Sequence, residues 1–527
     1  MQQSQKGLRL ALSLLAMTLC LTTLTGCNAQ RSGATMTVLA GSELKDIEPL
    51  LGDIERNTGV RLQMTYTGTL DGVEALLGGA HYDLAWFSHA KYLDLRQTGR
   101  NIVVTQEKTM LSPVVLGIQE RKARSLGWLG NADITWRDIA QKASAGELRY
   151  AMTNPAVSNS GFTALIGVAT ALTGSGDALQ ANDIDAEALK GFFKGQALTA
   201  GSSGWLAESY VREQDTLDGM INYESVLLSL NESKQLKQPL VLIYPREGII
   251  TADYPLMLLD KAKREDYDRL VAFIRSPEFQ TKLMKTTLRR PVAPGIALDK
   301  RIPDPLLIEL PFPNTVEVID ALLFSYLDVQ RVPSHTFFVL DVSGSMGGDG
   351  LRDLKTALTN LTGLDQSLTG QFARFRSRER ITLLPFSSEV KDVSEFTINT
   401  ITAEGEDMAR IRRSVDQLQA GGNTAIYLAL ANAYDLVQQA QAQDAERYYS
   451  IVLMSDGRTN AGTSQEGFRS YYQNLPLQTQ QVKTFTVLFG DADKAEMEKI
   501  AEMTGGRMFD AKSQSLSQIF KEIRGYQ

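Results

Sequence analysis

The chain has 527 residues, 43% of them hydrophobic, which is enough for several ordinary globular cores and excludes a disordered or fibrous polymer. Its 54 basic and 61 acidic residues form no basic stripe and no aromatic-basic interleaving, so nucleic acid is excluded as a partner class. The only cysteines are Cys20 and Cys27, so everything after residue 27 folds without a disulfide.

Residues 1–27 read as a targeting segment. Lys6 and Arg9 give a positive start, and Leu8 to Leu24 is an apolar stretch too short for a comfortable membrane span. Leu24-Thr25-Gly26-Cys27 resembles a bacterial lipobox, which implies lipidation at Cys27 and a membrane-anchored lipoprotein of the bacterial cell envelope, facing the periplasm. The bland alternative is a secretory signal with an incidental cysteine. Asn28 stands where an aspartate would imply inner-membrane retention, which points to the outer membrane if there are two.

From residue 35 to 300, short apolar runs alternate with helical stretches, the grammar of a parallel α/β fold. Met36–Ala40, Val60–Tyr66 and Asp83–Ser88 are expected strands, each followed by a hydroxyl residue and a helix. Free backbone N–H groups at such helix starts suit an anionic or carbonyl ligand. The pattern returns at Tyr150–Gly161 before the apolar helix Phe162–Leu172. The segment resembles bacterial type II periplasmic solute-binding proteins, with Leu111–Gly117 as a first crossing between two lobes, Tyr223-Glu224 as a further match and Val241–Leu259 as the return. The resemblance implies a two-lobed domain with a cleft for a small polar or anionic solute. Its candidate ligand contacts are Ser42, Thr69, Ser88, Ser158, Ser160 and Tyr223; for the small hydroxyl residues the competing role is a helix N-cap.

Residues 301–333 form a connector, and Arg290 to Pro333 holds seven of the sixteen prolines, favouring stiffness over a loose tether. It is expected to carry one helix, Thr315–Gln330, with Val316, Ile319, Leu322, Leu323 and Tyr326 on one face. The sequence does not decide which neighbour that face covers.

Residues 334–527 open with His335-Thr-Phe-Phe-Val-Leu-Asp-Val-Ser-Gly-Ser-Met346. Phe337 to Leu340 reads as a strand buried on both faces, running into Asp341, Ser343 and Ser345. His335, just ahead of it, is expected at the surface. Hard oxygens at the carboxyl end of a parallel strand suit a divalent cation. An EF-hand loop fails because its twelfth position is Arg352, and a phosphate loop fails because the glycines lack the lysine. Gly421-Gly-Asn-Thr424 then opens a helix, and Met454-Ser-Asp-Gly457 closes a second apolar strand. Together these resemble a von Willebrand factor A (VWA) domain with its metal-ion-dependent adhesion site. The resemblance implies a Rossmann-like fold with a central, mostly parallel sheet, and a magnesium ion (manganese or calcium as alternatives) at Asp341, Ser343, Ser345, Thr424 and Asp456. It further implies a protein partner gripped through that ion. Expected elements include helices Leu351–Leu368, Glu406–Leu418 and Leu516–Arg524 and strands Ile381–Pro385 and Glu395–Ile401.

No His-Glu-x-x-His helix, Ser/His/Asp set or reactive cysteine emerges, so no enzyme is expected. The expected function is a membrane-anchored binding lipoprotein: a solute-binding-like domain as sensor or second module, joined to a metal-dependent adhesion domain. The alternatives are a substrate-binding component of a transport system and a scaffold with a vestigial solute cleft.

Overall fold

The computed structural model describes residues 33–97, 101–456, 458–489, 493–512 and 515–526. The leader and Cys27 lie outside the described residues.

Residues 34–291 form two sheets. The chain builds β1 (Ala34–Gly41), β2 (Val60–Thr67), β3 (Leu84–Trp86) and β4 (Thr105–Lys108), then crosses at Thr109 into β5 (Met110–Gln119). The second sheet adds β6 (Tyr150–Thr153), β7 (Gln196–Ala200), β8 (Gly219–Tyr223), β9 (Leu240–Ile243) and β10 (Thr251–Ala252). At Asp253-Tyr254 the chain returns into β11 (Pro255–Leu258), which inserts antiparallel between β3 and β4 to give the order β2-β1-β3-β11-β4, and β12 (Arg290–Pro291) then pairs antiparallel with β5 in the second sheet. Each sheet is the floor of one lobe. The crossing and the return run side by side: Thr109 Oγ1 donates to the Tyr254 carbonyl at 2.6 Å, and Trp86 Nε1 donates to the same oxygen at 3.2 Å. Helices α1 (Thr69–Leu77) in lobe 1 and α2 (Asn159–Thr173) in lobe 2 both begin at the facing edges.

The connector helix α3 (Val316–Ser325) is N-capped by Thr315 and closes in a π-helical turn, Tyr326–Gln330. Its buried face is Val318, Ile319, Leu322, Leu323 and Tyr326, and Val316, the first helical residue, is half-buried. It packs against both lobes, where Asp320 pairs with Arg96 of lobe 1 and the Tyr326 ring meets Phe193 of lobe 2 at 4.8 Å, and Asp328 in its closing turn pairs with Arg376 of the C-terminal region.

The C-terminal region holds one six-stranded sheet, ordered β15-β14-β13-β16-β17-β18: β13 (Ser334–Asp341), β14 (Arg380–Phe386), β15 (Ser394–Thr397), β16 (Tyr448–Ser455), β17 (Lys483–Leu488) and β18 (Met508–Asp510). All pairings are parallel except that of the edge strand β15. All eight residues of β13 are buried, as expected of a parallel strand covered on both faces by helices. The helices that flank the site are α4 (Asp349–Thr359) and α5 (Ile426–Gln443); α6 (Leu516–Arg524) closes the chain.

Two expectations are corrected here. The helix expected over Leu351–Leu368 ends in a π-helical turn at Leu364, because Gly363 adopts φ +92 and breaks the ladder. His335 is not a surface residue: it lies inside β13 at 1% exposure, its Nε2 is 2.8 Å from Thr382 Oγ1, and its ring stacks on Phe337 at 4.2 Å. Burial, with Arg380 and Arg447 nearby, pushes its pKa down to about 3.

Candidate functional site

Three loops at the carboxyl edge of the C-terminal sheet meet around Asp341. That residue ends β13 and is fully buried, yet its carboxylate bonds only neutral donors: Oδ1 accepts from the Ser343 amide at 2.8 Å and Oδ2 from Ser455 Oγ at 2.5 Å. Ser343 Oγ lies 3.0 Å from Ser345 Oγ, and Ser345 Oγ donates to Asp456 Oδ1 at 2.9 Å. Four of the five expected residues are thus linked by hydrogen bonds. Thr424 arrives on its own loop, which is pinned to the first: the Gly344 amide donates to the Gly422 carbonyl at 3.0 Å, and the Gly421 amide to the Val342 carbonyl at 2.8 Å. Gly422 sits at φ +87, a conformation that favours glycine. Asn460 fixes the Thr424 amide at 2.8 Å.

Burial pushes the Asp341 carboxyl up, the Ser455 and Ser343 bonds oppose it, and Asp456 adds repulsion. Among the described residues no Lys or Arg pairs with either aspartate. Two carboxylates with three hydroxyls and no counter-charge form the hard-oxygen donor set that fits a divalent cation. No cluster of three or more His, Cys, Asp and Glu side chains occurs among the described residues, so hydroxyls would have to complete the coordination. Sequence reasoning missed Ser455 and Asn460. Ser455 was legible as the residue just before Asp456; Asn460 carries no such signal. Beside this site a groove of about 500 Å³ opens along α4, lined by Gly347, Gly348, Arg352, Lys355 and Asp416 among others.

Three of the six expected solute contacts meet across the lobes: Thr69 Oγ1 and Ser88 Oγ of lobe 1 are 3.2 Å apart, and Ser88 faces the Tyr223 phenol of lobe 2, which accepts from Asn159 Nδ2 at 2.8 Å. Ser160 Oγ lies 2.8 Å from Thr153 Oγ1 and 2.7 Å from Ser203 Oγ, all in lobe 2. Ser158 is the N-cap residue of α2 but makes no side-chain cap bond. Ser42 lines a cavity of about 620 Å³ between the lobes. Missed in sequence was Glu43: its Oε1 is buried with no hydrogen-bond partner among the described residues, and burial pushes the carboxyl up. Glu224, by contrast, is committed to Arg290 through two 2.8 Å bonds.

Residues 337–522 match the model of the von Willebrand factor type A domain, and residues 36–288 that of a bacterial extracellular solute-binding protein. Inter-alpha-trypsin inhibitor heavy chain H3 of Pongo abelii is 27% identical over 158 residues, 29% of this chain. The match spans only 17% of that relative's length. Among solved structures, the periplasmic binding protein AfuA of Actinobacillus pleuropneumoniae is 16% identical, covers 57% of this chain and 99% of its own, and has a TM-score of 0.45. A von Willebrand factor type A protein of Catenulispora acidiphila is 16% identical, covers 38% of this chain and 43% of its own, with a TM-score of 0.29. The two matched families are binding domains. The chain therefore joins a bacterial extracellular solute-binding domain, residues 36–288, to a von Willebrand factor type A domain, residues 337–522.

Proposed function

We propose that the chain is a cell-envelope binding lipoprotein, anchored through Cys27, whose VWA domain takes a divalent cation and through it a protein partner. The observation that carries this reading is Asp341, a carboxylate at 0% exposure held only by neutral donors, beside the carboxylate of Asp456 and two serine hydroxyls. Asp341, Ser343, Ser345, Thr424 and Asp456 would hold the ion. A magnesium ion bound by so few carboxylates keeps an electrophilic position for an acidic side chain of the partner. The solute-binding domain serves as sensor or second binding module, and no chemical step is assigned to either domain.

Capture of partners from membranes with the full-length protein tests this, with magnesium or with chelator. Magnesium at a hundredfold excess over its Kd should stabilise the VWA domain by about 2.7 kcal/mol, and Asp341→Ala should lose that gain. Thr424→Ala should lose capture while retaining the folded circular dichroism spectrum. Capture that survives chelation unchanged would overturn the adhesion reading.

A further inference from the structure

Helix α6 buries two cations, Lys521 at 1% and Arg524 at 8% exposure, on a helix whose apolar residues Ile519, Phe520 and Ile523 already serve the VWA core. Arg524 keeps its charge within the VWA region, whereas Lys521 points out of it toward lobe 1. Arg524 bonds Glu379 at 2.5 and 2.6 Å, and its backbone carbonyl accepts from Asn154 Nδ2 of lobe 2 at 3.1 Å. Just beyond the helix, the Tyr526 ring meets Trp205 of lobe 2 at 4.3 Å, and Lys483 of β17 pairs with Glu213 of lobe 2 at 3.1 Å. The VWA domain is thus seated on lobe 2 through rings, apolar packing and an ion pair.

Toward lobe 1 the helix presents Lys521. Its Nζ lies 2.5 Å from Asp71 Oδ1 and bonds both oxygens of Glu74 at 3.0 and 2.9 Å, on α1. Burial works against the ammonium, but Asp71 and Glu74 outweigh it and raise its pKa, so it stays charged. The pair sits in the wall of the 620 Å³ cavity, which Thr67 and Gly68 of lobe 1, Val157 and Ser202 of lobe 2, and Gln518 and Lys521 of α6 line together. One helix therefore spans the cleft mouth, its far end fixed to lobe 2 and its buried ammonium reaching lobe 1, which also meets lobe 2 directly where His89 and Tyr92 pack on Phe162 and meets the connector through Arg96 and Asp320.

We infer that α6 is a strap across the interlobe cleft, and that Lys521 is the latch holding lobe 1 closed against lobe 2. Lobe 1 swings at the Thr109 and Tyr254 crossings when the latch releases, opening the cavity to solvent. The inference uses the solute-binding reading only to say what the cleft is for.

The test needs no solute, so its failure is distinct from failure of that reading. With Cys20 and Cys27 replaced by serine the full chain has no other thiol, and spin labels at Glu55→Cys in lobe 1 and Glu187→Cys in lobe 2, both exposed, report the lobe separation by double electron–electron resonance. The parent should give one narrow distance. Lys521→Met should add a longer, broader population, and Lys521→Arg should restore the narrow one. Should Lys521→Met fail to fold, the pair Asp71→Asn with Glu74→Gln releases the latch from the other side. A distribution identical to the parent in every folded latch variant overturns the inference.

Discussion

Glu379→Gln probes the knot that ties the connector, the VWA sheet and α6 together. The Glu379 carboxylate is fully buried and accepts from Arg524, from Arg331 and from the Arg376 amide, while Arg376 itself pairs with Asp328 at 2.5 Å. Burial alone would push the carboxyl up, but Arg524 and Arg331 hold it down at about 2, against an ordinary value of 4.5. That difference corresponds to about 3 kcal/mol of stability at neutral pH. The glutamine keeps the shape and removes the charge that the buried guanidinium groups of Arg524 and Arg331 both face. For a region of this size the loss is on the order of 10 °C in melting temperature. Because the folded pKa lies below the unfolded one, the stabilisation is complete above pH 4.5 and is lost as pH falls through 2. The gap between parent and variant, followed by thermal unfolding at constant ionic strength, should therefore shrink to less than half by about pH 3. Equal melting temperatures at pH 7, or a gap indifferent to pH, would refute the reasoning.

His335, held neutral with its pKa near 3, should show no imidazole titration by NMR above about pH 4, and its contribution to stability should fall as pH drops below the unfolded value of about 6.5; titration near pH 6 would contradict its burial. Cys27→Ser should release the protein from membranes, and a variant that still sediments after a salt wash would refute the lipid anchor. A thermal-shift screen of oxyanions, amino acids and small sugars should find a stabilising solute; Tyr223→Phe should weaken it by about tenfold if the phenol bonds it. A screen that shifts nothing favours the vestigial-cleft alternative.

That the five candidate residues meet at one edge was legible because their signals are local: Asp341, Ser343 and Ser345 share one turn, and Thr424 and Asp456 each sit in a short recognisable loop. The parallel strands were legible for a similar reason, since burial on both faces leaves an unbroken apolar run such as Phe337 to Leu340. What escaped depends on partners far along the chain. His335 looked like a residue before a strand because nothing in sequence announces Thr382, 47 residues away, as its hydrogen-bond partner. Lys521 and Glu74 are 447 residues apart, and on paper Lys521 is an ordinary polar position of an amphipathic helix. Glu43 was passed over for its neighbour Ser42 because small hydroxyls at strand ends fit the expected pattern, whereas burial of a carboxylate is a property of the closed cleft. The connector's docking was open in sequence for the same reason: an apolar helical face states that it is covered, not by what.

A buried ion pair is a useful latch because two perturbations of it have very different costs. Replacing Lys521 removes the cation that Asp71 and Glu74 share in a low-dielectric wall, and loss of one partner of a buried pair typically costs about 3–5 kcal/mol. Pulling the intact pair apart is another matter, because each group regains its hydration as the Coulomb attraction is lost, and the two changes nearly offset. The rings of Tyr526 and Trp205 on the other side have no such compensation: separating them exposes apolar surface at about 25 cal/mol per Å². Release of Lys521 is thus the cheap step of opening, while the contacts of His89 and Tyr92 with Phe162 resist it and lobe 2 stays with the VWA domain.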